Sequence, residues 1–453
     1  MTSPEAAALQ TEIRTLGPCK LDSALPYRTW ADDKIVRIFV DEELSDEAAT
    51  PFGVCLEAAG PRKKLYFDPT RAKCAIVTCG GLCPGINDVI RAIVMEAFHA
   101  YHVPSVLGIP YGLEGFIPNY GHTPLELTPA VVADIHRFGG TMLGSSRGPQ
   151  APEEIVDTLE RSNVNALFVI GGDGTSCGEH LRFYSCGGDG TMKAAQAISA
   201  EVQTRGLRIA VIGIPKTIDN DINFIPQSFG FETAAFKATE AIECAHTEAC
   251  GVPNGIGLVK LMGRESGFIA ARAALALKEV NFVLIPEAPF ALEGQGGLLP
   301  ALEERLRRRG HAVIVAAEGA GQHLLDQQSG TDASGNPVLG DVATLLRGAM
   351  TKYLNARGLE HSIKYIDPSY IIRSVPANAN DKVYCGFLGQ YAVHAAMAGR
   401  TDMVVGKIQD RYVHLPLELV TRKRRKLNIY SDLWRAVLES TGQGTLAGML
   451  PPL

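Results

Sequence analysis

Four segments of the chain combine glycines or charged side chains at spacings that suit phosphate chemistry. The first, residues 80–87 (GGLCPGIN), lies between a predicted strand and a predicted helix. Glycines let backbone N–H groups approach an oxyanion closely, and the helix that follows adds the positive end of its dipole. A purely structural turn needs only one glycine, so three favour a phosphate-binding loop over that alternative.

The second segment is a pentapeptide that occurs twice. GGDGT at 171–175 directly follows the apolar run 166–170, and GGDGT at 187–191 directly precedes a predicted helix. A carboxylate at a strand end can hold Mg²⁺ while flanking glycines contact nucleotide phosphates, although a plain Asp-Gly turn is the alternative. We predict Asp173 as the Mg²⁺ ligand because the strand end fixes its position. The intervening residues suggest a local duplication or retained non-coding sequence, and both origins stay open.

The third segment, residues 215–221 (PKTIDND), follows the apolar run 209–214. In an extended segment, side chains two residues apart point to the same side, so Thr217, Asp219 and Asp221 are expected to face one site. One carboxylate can accept the proton of a sugar hydroxyl that attacks a phosphoryl group, while the other tunes the pair or orients the metal. A solvated polar turn is the alternative.

The fourth group brings cations and hydroxyl ligands to predicted strand ends. Arg264 can stabilise the charge of a transferring phosphoryl group, and Glu318 can bind sugar hydroxyls. Lys364 and Arg373, nine residues apart around a proline turn, can clamp a substrate phosphate, with Tyr370 as a further donor. Each alone suits a surface or helix-cap role, but as a set they favour a sugar-phosphate site.

The elements that position these residues form a repeating pattern from Lys73 onwards. Apolar runs without alternation end in Gly, Pro or Asp and are followed by Ala-rich helical stretches. Such runs indicate strands covered on both faces, as in the parallel sheets of α/β folds, and ligands bind at the carboxyl ends of such strands. Residues 1–70 lack this pattern, so we expect an N-terminal extension that packs on the body or bridges subunits.

Composition excludes several classes of protein. The chain has 453 residues, of which 46% are hydrophobic and 20% charged, with a net charge of −6 and ten cysteines. The negative net charge argues against nucleic-acid binding. The cysteines are too sparse for a disulfide scaffold. No apolar run reaches the ~20 residues that a membrane span needs. We expect a cytoplasmic protein, with a plastid location left open. We also expect the five cations of residues 422–426 to form a solvated face.

Eight motifs occur in a characteristic order over about residues 65–445: GGLCPGIND, SSRG, GGDGT, PKTIDND, MGRESGF, PEAPF, AEGAGQ and KYIDPSYIIR. This ordered set resembles the phosphofructokinase family, and the variants KLYFDPTRAKC and VKLMGR resemble its plant, algal and trypanosomatid ATP-dependent branch. The resemblance implies two Rossmann-like α/β domains with the active site in the cleft between them. It also implies Mg²⁺-dependent transfer of the ATP γ-phosphate to O1 of fructose 6-phosphate, the committed step of glycolysis, in an allosteric homotetramer.

The resemblance assigns roles by motif. Asp219 matches the general base, with Thr217 and Arg264 as further catalytic residues, and Asp173 matches the metal ligand. The nucleotide-binding positions are Gly81, Arg147, Gly148, Gly172, Asp173, Gly174 and Thr175. The sugar-phosphate positions are Thr217, Ile218, Asp219, Met262, Gly263, Arg264, Glu318, Lys364, Tyr370 and Arg373.

Two positions bear on the phosphoryl donor. Gly174 leaves room for the ATP α-phosphate where pyrophosphate-dependent relatives carry Asp, whereas Lys216 is shared with those relatives and with the plant and trypanosomatid branch. ATP is therefore the expected donor; a pyrophosphate-dependent enzyme and a non-catalytic regulatory paralogue are the alternatives. The expected domains are the extension, a nucleotide-binding domain and a sugar-phosphate-binding domain, with ranges 1–70, 71–231 plus 373–426, and 232–372 plus 427–453.

Overall fold

The computed structural model describes residues 10–26, 30–32, 34–39, 53–172, 190–325, 330, 337–444 and 446. The strands in these residues are β1 (Leu21–Asp22), β2 (Ile35–Phe39), β3 (Gly53–Glu57), β4 (Lys64–Leu65), β5 (Lys73–Thr78), β6 (Ser105–Ile109), β7 (Leu125–Glu126), β8 (Ala166–Gly171), β9 (Ala210–Pro215), β10 (Gly255–Leu261), β11 (Phe282–Leu284), β12 (His311–Ala317), β13 (Ser362–Ile366), β14 (Met403–Ile408) and β15 (Arg411–Pro416).

The helices of the same residues are α1 (Ile86–Met95), α2 (Pro152–Arg161), α3 (Thr191–Thr204), α4 (Phe231–Cys250), α5 (Phe268–Leu277), α6 (Leu298–Arg309), α7 (Val342–Ala356), α8 (Ser369–Arg373), α9 (Ala379–Met397), α10 (Leu417–Thr421) and α11 (Asp432–Thr441). Glu96–Ala100 extends α1 as a π-helical turn, and short 3-10 turns occur at Pro69–Arg71, Gly112–Phe116, Pro118–Tyr120, Ile135–Arg137 and Gln322–Leu324. Where the structure describes the chain, no helix is both long enough and apolar enough to cross a bilayer.

The larger sheet has seven strands in the order β15-β14-β9-β8-β5-β6-β7. Its five central strands are parallel, and the edge strands β7 and β15 pair antiparallel. Every residue of β8 and of β9 is buried, because helices cover both faces of the sheet. The parallel α/β sheet predicted from the unalternating apolar runs is confirmed, and the antiparallel edges are an addition to it.

The smaller sheet has four parallel strands in the order β11-β12-β10-β13. The chain passes between the sheets three times: through α4 after β9, through α8 and α9 after β13, and after β15, where α11 packs on α5. The boundaries expected near Glu232, Arg373 and Leu427 lie in these connections. The carboxyl ends of the central strands of both sheets face a shared cavity, as the predicted two-domain architecture requires.

The described part of the N-terminal extension packs on the larger sheet and its helices. The Leu16 N–H donates to the Gly399 carbonyl at 2.9 Å, and the Ala59 N–H donates to the Tyr412 carbonyl at 3.0 Å. The Glu57 carboxylate contacts Arg400 and His414; although burial opposes it, their hydrogen bonds and charges lower the pKa of Glu57 to about 2. The extension packs on the body, and its bridging of subunits stays a prediction.

Helices α1 and α9 approach closely at a glycine. A Cβ on Gly389 would stand 2.6 Å from the Cβ of Ala92 and 3.1 Å from the backbone of α1, whereas one on Gly386, a turn earlier on α9, would meet nothing within 4 Å. This contact fixes the distance between α1, which follows the glycine loop, and the helix that returns the chain to the larger sheet.

We expect Gly389→Ala to lower the free energy of unfolding by about 1–3 kcal/mol, because the added methyl group overpacks the helix contact. Gly386→Ala is the matched control; it is expected to be neutral or to stabilise by up to about 1 kcal/mol through helix propensity. Urea denaturation followed by circular dichroism measures both. Equal midpoints for the two variants would contradict the close packing.

Candidate functional site

A cavity of about 460 Å³ lies where the strands of the two sheets end. The larger sheet contributes the glycine loop after β5 and the segment after β9, and the smaller sheet contributes the ends of β10, β12 and β13. The residues around it are Gly80, Gly81, Leu82, Cys83, Arg147, Gly172, Thr191, Lys216, Thr217, Ile218, Asp219, Asp221, Lys260, Met262, Arg264, Glu318, Asp367, Ser369, Tyr370, Arg373 and Arg424.

The glycines after β5 have two different roles. Gly80 and Gly85 adopt φ values of 80° and 101°, which favour glycine, and Gly85 caps α1. Gly81 has no such backbone requirement. A Cβ at Gly81 would lie 3.5 Å from the guanidinium groups of both Arg147 and Arg373. Two cations therefore flank the half-buried backbone at Gly81, which is an arrangement suited to a bound anion.

Lys216 is buried and joins two loops of the site. Its ammonium donates to the carbonyl of Gly81, and its backbone N–H donates to the carbonyl of Gly171 at 2.9 Å. Desolvation by burial, together with the charges of Arg147 and Arg373, lowers the pKa of Lys216. Lys216 thus links the end of β9 to the glycine loop after β5 through its side chain and to the end of β8 through its backbone.

The segment after β9 brings a hydroxyl and two carboxylates together through a bend. The Asp219 N–H donates to Thr217 Oγ1 at 3.1 Å, and the Thr217 hydroxyl donates to Asp221 Oδ1 at 3.0 Å. Asn220 lies in the left-handed region with φ 56°, so the extended backbone predicted for this segment is wrong. All three side chains still face the cavity, because the hydrogen bonds fold the segment back on itself.

The Asp219 carboxyl group has the electrostatics expected of a proton acceptor. Its Oδ1 is shielded from solvent and has no hydrogen-bond partner among the described residues. Burial raises the pKa of Asp219, and the nearby charges of Asp221 and Glu318 add to this effect, against the opposite influence of Arg424 and Arg373. A raised carboxyl pKa brings the group closer to the range in which it can exchange protons near neutral pH.

The smaller sheet supplies the opposite wall of the cavity. Met262 and Arg264 follow β10, Glu318 follows β12, and Tyr370 lies on α8. Burial raises the pKa of Glu318, and the Arg373 guanidinium lies 4.8 Å from the centre of the Tyr370 ring. Gly263 does not line the cavity itself but has a φ of 129°, which turns the chain between Met262 and Arg264.

Lys364 does not lie with the other predicted residues. It is on β13, and its ammonium contacts Glu248 of α4 at 3.8 Å rather than the cavity. Lys260, near the end of β10, lines the cavity instead and contacts Asp367 at 2.9 Å. Side chains alternate between the two faces of the sheet along β13, and Lys364 is on the face that α4 covers. A lysine within the otherwise apolar, buried run 255–261 was the sequence signal for Lys260.

The cationic run near the C-terminus is a solvated face only in part: Arg422, Lys423 and Lys426 are exposed as predicted, whereas Arg424 and Arg425 turn inward. The Arg424 side chain is only 13% exposed, lines the cavity and pairs with Asp221 and Glu265, both at 3.5 Å. Arg425 lies over the Phe268 ring at 4.4 Å. The buried Asp221 carboxylate, the half-buried Glu265 carboxylate and an aromatic face draw these two cations inward, which composition alone does not reveal.

The doubled pentapeptide contributes to the site from both copies. Gly171 and Gly172 of the first copy end β8, whereas Gly190 and Thr191 of the second copy begin α3. The Met192 N–H donates to the Gly172 carbonyl at 3.3 Å. The expectation that a single copy forms the strand-to-helix crossing is therefore wrong. Asp173, Gly174 and Thr175 lie outside the described residues, and Thr191 lines the cavity instead of Thr175.

A second cavity, of about 260 Å³, adjoins the first. The two share Gly80, Arg147 and Thr191, and Gly148 lies in the second. Its apolar lining consists of Leu113, Ile155, Ala194, Ala197 and Ile198, among other residues. An apolar slot beside a cationic glycine loop suits a flat ring that carries phosphates.

Comparison with known proteins identifies the family. A family model described as Phosphofructokinase matches residues 73–396. The chain belongs to the phosphofructokinase family. The ATP-dependent 6-phosphofructokinase of Amycolatopsis methanolica is 48% identical over 453 residues, covering 95% of this chain and 94% of the relative.

Other members agree with this assignment. The ATP-dependent 6-phosphofructokinase of Trypanosoma brucei brucei is 43% identical over 88% of this chain and 79% of its own length. ATP-dependent 6-phosphofructokinase 7 of Arabidopsis thaliana is 44% identical over 93% of this chain and 83% of its own length. The predicted resemblance to plant and trypanosomatid phosphofructokinases is confirmed. The solved pyrophosphate-dependent phosphofructokinase of Marinobacter aquaeolei shares the fold, with a TM-score of 0.63 at 21% identity over 84% of this chain and 93% of that one.

Proposed function

We propose that this phosphofructokinase transfers the γ-phosphate of ATP to O1 of fructose 6-phosphate, giving fructose 1,6-bisphosphate and ADP. The observation that carries the proposal is the position of Asp219. Its carboxyl group lies in the cavity between the glycine loop with its cations on one side and Arg264 and Glu318 on the other. The relatives named as ATP-dependent 6-phosphofructokinases support the same reaction.

The proposed step is an in-line phosphoryl transfer. Asp219 accepts the proton of the sugar O1 hydroxyl as O1 forms a bond to the γ-phosphorus and the bond from that phosphorus to the β,γ-bridging oxygen breaks. Thr217 holds the Asp219 backbone through its hydroxyl, and Arg264 stabilises charge on the transferring group. Positioning and electrostatics supply most of the rate enhancement.

The sugar phosphate is proposed to bind at the wall made by the smaller sheet. Its proposed ligands are Met262, Arg264, Glu318, Tyr370 and Arg373 on that wall and Ile218 from the segment after β9, while the turn at Gly263 positions Met262 and Arg264. Lys260 faces the cavity where Lys364 was expected, so we propose Lys260 as the lysine of this site. A role for Lys364 in clamping the phosphate stays a prediction without support from its position.

The nucleotide is proposed to lie across the two adjoining cavities. Its base takes the apolar slot beside Gly148, and its phosphates reach Gly81, Gly172, Arg147 and Thr191. Lys216, which pyrophosphate-dependent relatives share, is engaged with the Gly81 carbonyl. The slot for a ring favours ATP over pyrophosphate, which has no ring to fill it. Gly174, the second donor-specificity position, stays a prediction.

The metal requirement belongs to the same proposal. Asp219 and Asp221 present the hard oxygen donors that Mg²⁺ prefers, and the Asp219 Oδ1 has no partner in the described chain, so the donor set fits this ion. Mg²⁺ would neutralise the negative charge of the phosphates when bound. Asp173 as its ligand, the two-part domain ranges 71–231 plus 373–426 and 232–372 plus 427–453, a homotetramer and a cytoplasmic location stay predictions.

We expect Asp219→Ser to lower kcat by about 10²–10⁴-fold with a modest change in KM for fructose 6-phosphate, because it removes the proton acceptor but not the sugar contacts. A coupled assay with ATP measures both constants. Asp134→Ser, at an exposed carboxylate that pairs with Arg137 at 3.3 Å, is the control and should behave as the wild type. A near-normal kcat for Asp219→Ser would remove this residue from the base role.

The pH dependence should report the same carboxyl group. Because Asp219 must be deprotonated to act, kcat/KM is expected to fall as the pH drops through its raised pKa, at a pH above the ordinary carboxyl value of about 4. Asp221→Asn removes a like charge and should move this acid limb to lower pH. Profiles of kcat/KM at saturating ATP test this; an unmoved limb would show that another group controls it.

Removing the inserted repeat tests both which phosphoryl donor the protein uses and whether the protein is catalytically active. Deleting residues 176–191 or residues 173–188 yields the same polypeptide with one GGDGT. A single deletion variant therefore serves whichever copy is regarded as the insertion. We expect the full chain and the shortened chain to use ATP, and neither to use pyrophosphate. Turnover with pyrophosphate alone would establish the first alternative. Nucleotide binding without turnover in both chains would establish the regulatory paralogue.

A further inference from the structure

A cluster of nitrogen and sulfur ligands lies at the amino-terminal end of strand β12 of the smaller sheet, whereas the active-site cavity lies at the carboxyl ends of the strands. His246 and Cys250, four residues apart, project from one face of the last turns of α4, and His311 is the first residue of β12. One ligand atom from each lies within 4.8 Å of the other two. Glu318 follows the far end of the seven-residue strand β12, so the cluster is roughly 20 Å from the cavity.

The distances within the cluster suit one small cation. Cys250 Sγ lies 3.3 Å from His246 Nε2. In a tetrahedral zinc site, with bonds of about 2.3 Å to sulfur and 2.0–2.1 Å to nitrogen, ligand atoms stand roughly 3.3–3.7 Å apart. The cluster therefore needs only small side-chain rotations to close on a single ion.

Contacts at the Nδ1 atoms of His246 and His311 leave their Nε2 atoms available to bind a metal. The Nδ1 atom of His246 faces the Glu279 carboxylate at 3.5 Å, and the Nδ1 atom of His311 lies 3.2 Å from the Arg309 carbonyl, to which it can donate. A carboxylate or carbonyl that receives the Nδ1 proton directs the Nε2 lone pair toward a metal. The cluster thus has both ligands and the outer partners that orient them.

The charges around the cluster also bear on the bound form. Two arginines, Arg305 and Arg309, carry positive charge close to His311, and Arg305 Nε donates to the His311 carbonyl at 3.3 Å. The same arginines oppose a cation. A Cys250 thiolate and the Glu279 carboxylate supply the negative charge that offsets them.

We propose that His246, Cys250 and His311 form a zinc-binding site that is separate from the catalytic cavity. Two imidazoles and one thiolate suit Zn²⁺ better than Mg²⁺, which prefers oxygen ligands, and leave one coordination position for water. Binding replaces the thiol proton: the Cys250 S–H bond breaks, a Zn–S bond forms and the proton passes to solvent. The ion would join the end of α4 to the start of β12.

The test is a titration of the chelator-treated, nucleotide-free full chain with Zn²⁺ against a chromophoric zinc indicator. We expect one equivalent per chain, with affinity lowered at least about 10-fold in Cys250→Ser and in His311→Gln, and by about 10–100-fold in Glu279→Gln, the range for an outer-sphere partner. Cys244→Ser, an exposed cysteine on the same helix, is the matched control and should bind as the wild type.

Two further readouts keep the proposal separate from the catalytic one. Cobalt substitution should give a sulfur-to-cobalt charge-transfer band that Cys250→Ser loses, and calorimetry in two buffers should show about one proton released per Zn²⁺ at neutral pH. All these variants should retain phosphoryl transfer without zinc. Absence of the zinc equivalent in the wild type, or its full retention in Cys250→Ser, would overturn the site whatever the outcome for Asp219.

Discussion

The arrangement of the cleft depends on the buried ammonium of Lys216. A charge taken out of water is costly unless polar groups compensate it, and this one is compensated by the Gly81 carbonyl. The residue's backbone meanwhile pairs with Gly171 at the end of β8. Lys216 therefore fixes three parts of the site relative to one another: the glycine loop after β5, the end of β8 and the start of the segment after β9 that carries the carboxylates. Asp219 lies three residues further on and inherits its position from this attachment.

The balance of charge in the cavity follows from where the strands end. Parallel strands deliver their carboxyl ends to one edge, so polar residues that are distant in sequence become neighbours. Cations then stand against carboxylates: Lys260 meets Asp367, which is partly open to solvent, and Arg424 meets the buried Asp221. The carboxyl group of Asp219 retains an unpartnered oxygen within the described residues. Burial, with the charges of Asp221 and Glu318 adding to it, raises the pKa of this group toward the range in which a carboxylate can accept a proton near neutral pH.

The doubled GGDGT shows how a repeat can be accommodated at a strand-to-helix crossing. The end of β8 comes from one copy and the start of α3 from the other, and the Met192 N–H of that helix donates to the Gly172 carbonyl of the first copy. Because the copies are identical, either half supplies the residue types the crossing needs. The pairing of β8 with β5 and β9, and the packing of α3 on the same sheet, are retained.

The sequence by itself determined the central parallel strands, the family and most of the cleft. Unalternating apolar runs predict buried parallel strands, and the residues directly after them, such as Asp219, Arg264 and Glu318, can lie only at the ligand-binding edge. Tertiary structure alone decided what depends on side-chain direction and long-range charge. It turned Lys364 toward α4 and Lys260 into the cavity, and it drew Arg424 inward to Asp221. These choices follow from partners about 100 to 200 residues away, which no local pattern contains.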